Sequence, residues 1–192
     1  ALARWEIVHT AADLGRYLGL LLDLRPLPAT DADLAAMRPL RATITRMAYG
    51  LAAGISPTDA DIAVLNAAAS APPLVRALLP DGGTSVVAPT AAAALATLAR
   101  DAVDLFGGPL RDRIRVCASD ECGLLFVDAS RPGKRRWCSM DRCGNLAKVR
   151  AHRAGRTAPD PEAAMRKAAI LDQIRQPTEP STKPTPGPET PR

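Results

Sequence analysis

Residues 117–143 read CASDECGLLFVDASRPGKRRWCSMDRC and contain all four cysteines of the 192-residue chain. The cysteines form two close pairs, with four residues inside each pair and fifteen residues between the pairs. This spacing is typical of a structural zinc site, because each short loop brings two sulfurs to one side of a tetrahedron. Four thiolates leave no coordination position open to water, so the ion would be structural rather than catalytic. The predicted ligands of one Zn²⁺ are Cys117, Cys122, Cys138 and Cys143.

Two disulfides and a redox-active thiol pair are alternative explanations of the four cysteines. Disulfides suit exported proteins, but the first residues, ALARWEIVHT, lack the basic start, apolar middle and cleavage site of a secretory signal. A redox-active pair more often has the spacing C-x-x-C at a strand–helix junction. No apolar run approaches the roughly 20 residues that span a bilayer. We therefore expect a cytoplasmic protein that binds zinc and has no membrane partner.

The linker between the cysteine pairs predicts a β-hairpin. GLLFVDA is a strand-like run, RPGK places Pro132 and Gly133 at the centre of a type II turn, and RRWC returns as the second strand. Ser139 is expected to cap a helix that contains Cys143 in its first turn. Trp137 is expected to fill the small core of this module. Together the cysteine loop, hairpin and helix resemble a small ββα zinc finger of the treble-clef type.

Positive charge is concentrated in the segment that holds the cysteines. Residues 111–156 contain 12 Lys and Arg against 5 Asp and Glu, whereas residues 1–110 contain 8 against 10. Such an asymmetry indicates a polyanionic partner, with DNA as the leading case. On a helical projection, Met140, Cys143 and Ala147 face the metal and the basic residues face away from it. The predicted nucleic-acid contacts are Arg131, Lys134, Arg135 and Arg136 on the turn, and Arg142, Asn145, Lys148, Arg153 and Arg156 on the helix.

Residues 1–110 predict a helical domain, because their apolar residues are mostly Ala and Leu and recur at helical spacing. His9 on an amphipathic helix has a structural explanation, as have Asp59 and Asp61 at a helix start. No nucleophile–base pair or open metal site is visible, so an enzyme is not expected. The predicted elements are helices over residues 7–22 and 31–53 (kinked or broken at Pro39), a helix capped by Ser56, a short strand in TSVVA, and a helix from Pro89 to Gly107.

The chain after the cysteine module divides into two predicted parts. Residues 157–175 form a short predicted helix that begins at Asp160 and Pro161. Residues 176–192 contain six prolines and no large apolar side chain, so they cannot offset their ordering entropy and are expected to be disordered. The overall expectation is a mainly α chain: a helical domain, a zinc finger over residues 111–156, a short helix and a tail.

The segment CASDECGLLFVDASRPGKRRWCSMDRCGNLAKVRAHR resembles the CGNR zinc finger, a bacterial C-terminal module. Leu124 stands where that family usually has Trp, and Leu146 replaces the Arg of the motif. The second change removes one potential phosphate contact, so we expect weaker nucleic-acid affinity than in the family at large. The resemblance rests on Cys117 and Cys122, on F-x-D-x-S at Phe126, Asp128 and Ser130, on RRWCSM, on CGN at residues 143–145, and on Lys148.

Members of that family carry an N-terminal helical domain named ABATE, described as a stress-induced transcription regulator, and the order of domains here is similar. The resemblance implies a bacterial transcription regulator that binds DNA through the finger. The helical domain would then sense a signal or form a homodimer. The alternative is a protein-interaction module, in which the finger is a structural clip that docks an acidic protein. RNA in place of DNA is a variant that the sequence does not separate.

Overall fold

The computed structural model describes residues 7–119 and 122–154, together with the isolated positions 165, 168, 169 and 172. The predicted tail over residues 176–192 and nearly all of the predicted helix over residues 157–175 lie outside the described residues. Within the described part the chain is mainly α-helical, as the sequence predicts. The helices are α1 (Ala11–Leu21), α2 (Asp31–Ala52), α3 (Asp59–Ser70), α4 (Ala91–Gly107) and α5 (Asn145–Ala154), and the strands are β1 (Val75–Leu78), β2 (Thr84–Val87), β3 (Ile114–Val116) and β4 (Leu125–Val127).

A threonine caps each of the first four helices. Its side-chain oxygen accepts a hydrogen bond from the backbone N–H three residues later, which satisfies one of the free donors of the first turn. The prediction that Ser56 caps the third helix was wrong, because Thr58 accepts from the N–H of Asp61 at 3.2 Å and starts the helix two residues later. The capping residues are Thr10, Thr30, Thr58 and Thr90.

One apolar core lies between the first four helices. Leu14 and Leu18 on α1 are fully buried. Ile7, which the periodicity placed in the first helix, is 68% exposed, because the helix begins only at Ala11 and Val8 is buried instead. Among the described helices, none is long and apolar enough to cross a membrane. The other large buried side chains of this core are Leu27, Leu34, Met37, Leu40, Met47, Leu65, Leu95, Phe106 and Ile114.

Helix α2 continues through Pro39 without a break, so the proline does not divide the helix. A part-buried ion pair then joins this helix to α3: the Arg46 Nε lies 3.0 Å from the Asp61 carboxylate, and the Arg46 Nη2 lies 3.3 Å from the Thr43 hydroxyl. The hydrogen bond from Arg46 lowers the pKa of the Asp61 carboxyl. Asp61 therefore has a structural role, as the sequence predicts, but it pairs with a guanidinium as well as with its own helix start.

Two antiparallel strand pairs complete the fold of the described residues. Strand β2 coincides with the predicted TSVVA strand, and it pairs with β1 in the register Val75↔Val87 and Leu78↔Thr84. Strand β1 was not predicted, because the run LVRALL has no alternation of apolar and polar residues. The second pair joins β3 to β4 in the register Ile114↔Val127 and Val116↔Leu125.

The predicted hairpin between the two cysteine pairs is wrong. Its first strand exists as β4, but the partner of β4 is β3, which precedes the first cysteine. The RRWC segment does not pair with β4, and the backbone groups of Arg135 and Arg136 bond to other parts of the finger. The Arg135 N–H donates to the Asp128 carboxylate at 2.8 Å, and the Arg135 side chain donates to the backbone oxygens of Trp137 and Cys138.

The helix that carries the last cysteine begins with a wide turn. Ser139 is its N-cap, as predicted, but residues Met140–Gly144 form a π-helical turn before α5 continues. A projection at 100° per residue misplaces the first turn of such a helix. Met140, which was predicted to face the metal, is consequently 44% exposed, whereas Cys143 is buried.

Candidate metal centre

The side chains of the four cysteines converge on one point. All four are free thiols, and their sulfurs lie within 4.8 Å of one another. The Cys138 sulfur lies 3.7 Å from that of Cys122 and 3.7 Å from that of Cys143. A tetrahedral zinc ion with Zn–S bonds of about 2.3 Å separates its sulfurs by about 3.8 Å. The donor set therefore fits one zinc ion, and the four cysteines form the site that the sequence predicts.

Backbone hydrogen bonds hold the first cysteine pair in a tight loop between β3 and β4. The Cys117 N–H donates to the Leu124 oxygen at 2.9 Å and closes the loop. Inside it, the Cys122 N–H donates to the Ser119 oxygen at 3.0 Å. The loop is connected to the second pair, because the Cys138 N–H points at the Cys117 sulfur at 3.5 Å. We name residues 117–119 and 122–124 the zinc knuckle.

The electrostatics of the sulfurs favour a bound cation. Burial opposes ionisation of Cys117, but the backbone N–H groups of Cys138 and Ser119 outweigh that effect and lower the pKa of its thiol to about 7. Burial and the neighbouring sulfurs raise the pKa of Cys143 to about 12. Four thiolates this close repel one another, so all can ionise only with a cation among them. When bound, zinc would cross-link the knuckle to the start of the last helix.

A buried carboxylate shapes the turn that follows β4. Asp128 is fully buried and accepts hydrogen bonds from the Ser130 hydroxyl at 2.6 Å, the Ser130 N–H at 3.1 Å and the Arg135 N–H at 2.8 Å. The Arg113 guanidinium, from the short helical turn just before β3, donates to the Ser130 oxygen at 2.6 Å. The Ser130 hydroxyl, opposed by burial, lowers the pKa of Asp128, and both N–H groups and the charge of Arg113 add to this effect. The turn over residues 128–135 is therefore fixed from within.

Arg135, a predicted nucleic-acid contact, has its side chain committed to the finger. Its Nε donates to the Trp137 oxygen at 2.9 Å, its Nη2 donates to the Cys138 oxygen, and its guanidinium carbon lies 5.2 Å from the centre of the Phe126 ring. These contacts hold the backbone of a zinc ligand. Arg135 is exposed, but its Nε and Nη2 already donate to the backbone.

Five other predicted cations remain available at the surface. All are exposed, and none has a side-chain hydrogen bond or ion pair with another residue of the described chain. Asn145 is exposed on the same helix start. Arg153 belongs to α5, and Arg156 lies outside the described residues. We name the five cations the basic surface: Arg131, Lys134, Arg136, Arg142 and Lys148.

Two residues that position the finger were not predicted from the sequence. Tyr49 on α2 donates its hydroxyl hydrogen to the oxygen of Gly123 in the zinc knuckle. Arg113, just before β3, donates to the Asp128 and Ser130 oxygens and holds the turn. Neither residue belongs to a local motif, and both partners are distant in sequence. The Asp128–Ser130 bond, in contrast, had a local signal, because an Asp two residues before a Ser often forms an Asx turn.

Two family models match the chain. The model of the CGNR zinc finger covers residues 113–156. The model of the ABATE domain, whose description is "Putative stress-induced transcription regulator", covers residues 2–109. The second match spans more than half of the 192 residues, and the resemblance inferred from the sequence is confirmed. No curated protein matches the chain.

Proposed function

The chain belongs to the ABATE family and carries a CGNR zinc finger. We propose that it is a transcription regulator that binds DNA through the basic surface of the finger. The zinc ion is structural in this proposal: it holds the knuckle and the last helix in one geometry. The helical domain contributes sensing or dimerisation, and it is connected to the finger through α2.

The observation that carries the proposal is the availability of the five cations. Each has an exposed charge and no side-chain hydrogen bond or ion pair with another described residue, whereas Arg113 and Arg135 of the same finger spend theirs on backbone oxygens. Contacts from Arg and Lys to phosphate release counterions and provide most of the sequence-independent affinity for DNA. A surface that keeps its cations free is suited to this role.

Three of the five cations lie on the turn 131–136, which the Asp128 carboxylate holds in place. The other two, Arg142 and Lys148, lie on the wide first turn and on α5. Leu146, which replaces the motif's Arg, is 40% exposed among them. The proposal therefore gives the turn the larger share of phosphate contacts, and α5 a smaller share than in a finger with Arg at position 146.

Charge neutralisation tests the proposal. In the first variant the substitutions Arg131→Gln, Lys134→Gln and Arg142→Gln remove three charges from the basic surface. In the matched control Arg25→Gln, Arg38→Gln and Arg76→Gln remove three exposed charges from the helical domain. We expect the first variant to lose roughly 100-fold in affinity for duplex DNA at low salt, and the control to lose little. Equal affinities of the two variants for duplex DNA, with zinc content unchanged, would contradict the proposal that DNA binds to the basic surface of the finger.

The second candidate function is docking of an acidic protein, and one observation favours it. Leu146 and Val149 of α5 are 40% and 45% exposed, so the helix presents apolar area beside Lys148. Apolar contacts bordered by charges are common in protein interfaces. Absence of DNA retention by the wild-type protein at low salt, together with capture of a defined acidic protein that the finger variant no longer binds, would favour this candidate.

A further inference from the structure

Arg136 and Trp137 form a stacked pair beside the zinc knuckle. The guanidinium carbon of Arg136 lies 5.1 Å from the centre of the Trp137 ring. Arg136 is exposed and makes no side-chain hydrogen bond or ion pair within the described residues, whereas Trp137 is half-buried. The guanidinium therefore keeps its donors free while the indole supports it. The sequence predicted that the Trp137 ring fills the core of the finger; the structure shows that the ring also supports the Arg136 guanidinium.

The backbone around the pair is fixed on both sides. The Ala118 N–H, from the zinc knuckle, donates to the Arg136 oxygen at 2.8 Å. The Trp137 oxygen accepts from the Arg135 Nε at 2.9 Å, and the next residue is the ligand Cys138. A side-chain stack on such a backbone loses little conformational freedom when a ligand joins it.

A planar cation supported by an indole suits one chemical group in particular, the face of a nucleobase. Bases stack on aromatic rings and on guanidinium planes, and each stacked base contributes roughly 1–3 kcal/mol. In a duplex the base faces are already covered by neighbouring base pairs. A stacking platform is therefore of use where bases are unpaired, and Arg131 and Lys134 on the same turn can contact the adjoining phosphates.

Helix α5, the helix that would have to enter a duplex groove, has few exposed side chains suited to reading base edges among those that the structure describes. Reading a groove needs hydrogen-bonding side chains directed at base edges. On α5 the exposed side chains of Leu146 and Val149 are apolar and offer no such group. Apolar side chains in this position favour contact with base faces over contact with base edges.

We infer that the finger prefers single-stranded nucleic acid to duplex, with an unpaired base stacked on the Arg136–Trp137 pair and its phosphates on the basic surface. This inference rests on the proposed nucleic-acid binding and specifies its substrate. The shared chemistry is an unpaired base flanked by phosphates, and either DNA or RNA can supply it.

The test compares fluorescence anisotropy titrations of the zinc-loaded full chain with three labelled probes of one mixed sequence: single-stranded DNA, the same DNA as a duplex, and single-stranded RNA. The decisive variant is Arg136→Lys, which keeps the charge and removes the planar guanidinium. Its control is Arg131→Lys on the same turn. Trp137→Leu removes the ring itself, and zinc content shows whether that variant still folds.

We expect a single-stranded probe, of DNA or RNA, to bind about tenfold more tightly than the duplex. Arg136→Lys should weaken single-strand binding more than duplex binding and so remove most of that preference, while Arg131→Lys keeps the preference. Duplex binding as tight as single-strand binding, or a preference that survives Arg136→Lys, overturns the inference and leaves the proposed function intact. Binding to none of the probes at low salt overturns both.

Discussion

The hydroxyl of Tyr49, on helix α2, donates a hydrogen bond to the backbone oxygen of Gly123, the residue after the zinc ligand Cys122. Burial and the charge of Cys122 raise the pKa of Tyr49, so the hydroxyl keeps its proton as donor at neutral pH. Ile114 of β3 lies in the same apolar core as the four helices. The zinc finger is therefore packed against the helical domain, and a change in α2 can reach the knuckle through one direct contact.

Tyr49→Phe removes this hydrogen bond and keeps the ring. We expect the free energy of unfolding to fall by about 1 kcal/mol, and amide exchange to accelerate in the knuckle, with zinc content unchanged. Urea unfolding and hydrogen exchange measure the two effects. Tyr17→Phe on α1, where the ring is 39% exposed, is the control and should change neither. Identical exchange in the knuckle of both variants would mean that the contact does not hold the finger.

Arg135 and Arg136 are adjacent in sequence, but we predict opposite consequences of replacing them. Arg135→Ala removes the donors to the Trp137 and Cys138 oxygens, so it should weaken the zinc site, and competition with a chelator should extract zinc faster than from the wild type. Arg136→Ala should leave zinc retention unchanged and reduce nucleic-acid binding. Zinc loss at the same rate from the two variants would contradict the assignment.

Gly15 on α1 is required by a close backbone approach. A Cβ at this position would lie 2.2 Å from the Leu27 oxygen, in a loop that returns to the helix through the Leu27 N–H and the Gly15 oxygen. Gly15→Ala should therefore destabilise the protein by about 2 kcal/mol or more, through forced movement of the loop. Gly107→Ala, at the end of α4 where a Cβ meets nothing within 4 Å, is the control and should be neutral or slightly stabilising. Thermal unfolding compares the two, and a stable Gly15→Ala protein would disprove the close approach.

The Arg46–Asp61 pair predicts a defined pH dependence. Arg46 depresses the folded-state pKa of Asp61 below the unfolded value of about 3.9. The contribution of the pair to the free energy of unfolding is therefore complete above about pH 4, and it is lost as the pH falls through the folded-state pKa of Asp61. Asp61→Asn should cost about 2 kcal/mol at pH 7 and progressively less below pH 4. Urea unfolding at pH 7 and below pH 4 measures the effect. Asp59→Asn, at an exposed position in the first turn of the same helix, is the control. A deficit of Asp61→Asn that does not shrink in acid would contradict this origin.

The sequence predicted those features that depend on local spacing. The four cysteines, the cap at Ser139 and the extents of α2 and α4 follow from motifs within a few residues of one another. The strand that pairs with β4 could not be predicted from local spacing. Ile114–Val116, before the first cysteine, and RRWC, after the RPGK turn, both have sequences compatible with an extended strand. The structure pairs β4 with Ile114–Val116 and bonds the Arg135 N–H to Asp128 instead.

The surface of the finger was harder to predict than its metal site. A count of charges cannot distinguish Arg135, which is bonded to backbone oxygens, from Arg136, which is stacked on Trp137 and free to donate. The π-helical turn at Met140–Gly144 also changes which side chains face outward, and the residue spacing does not predict this turn. Long-range contacts such as that of Tyr49 leave no pattern in a single sequence.

The central claim is that the finger binds DNA through the basic surface, and the salt dependence of duplex DNA affinity tests it most directly. The measurement is the slope of log K against log salt concentration for the zinc-loaded chain. If all five cations of the basic surface contact phosphates, the slope should be about −4.5. A slope near zero, or no binding at about 50 mM salt, where such contacts are strong, would contradict the claim.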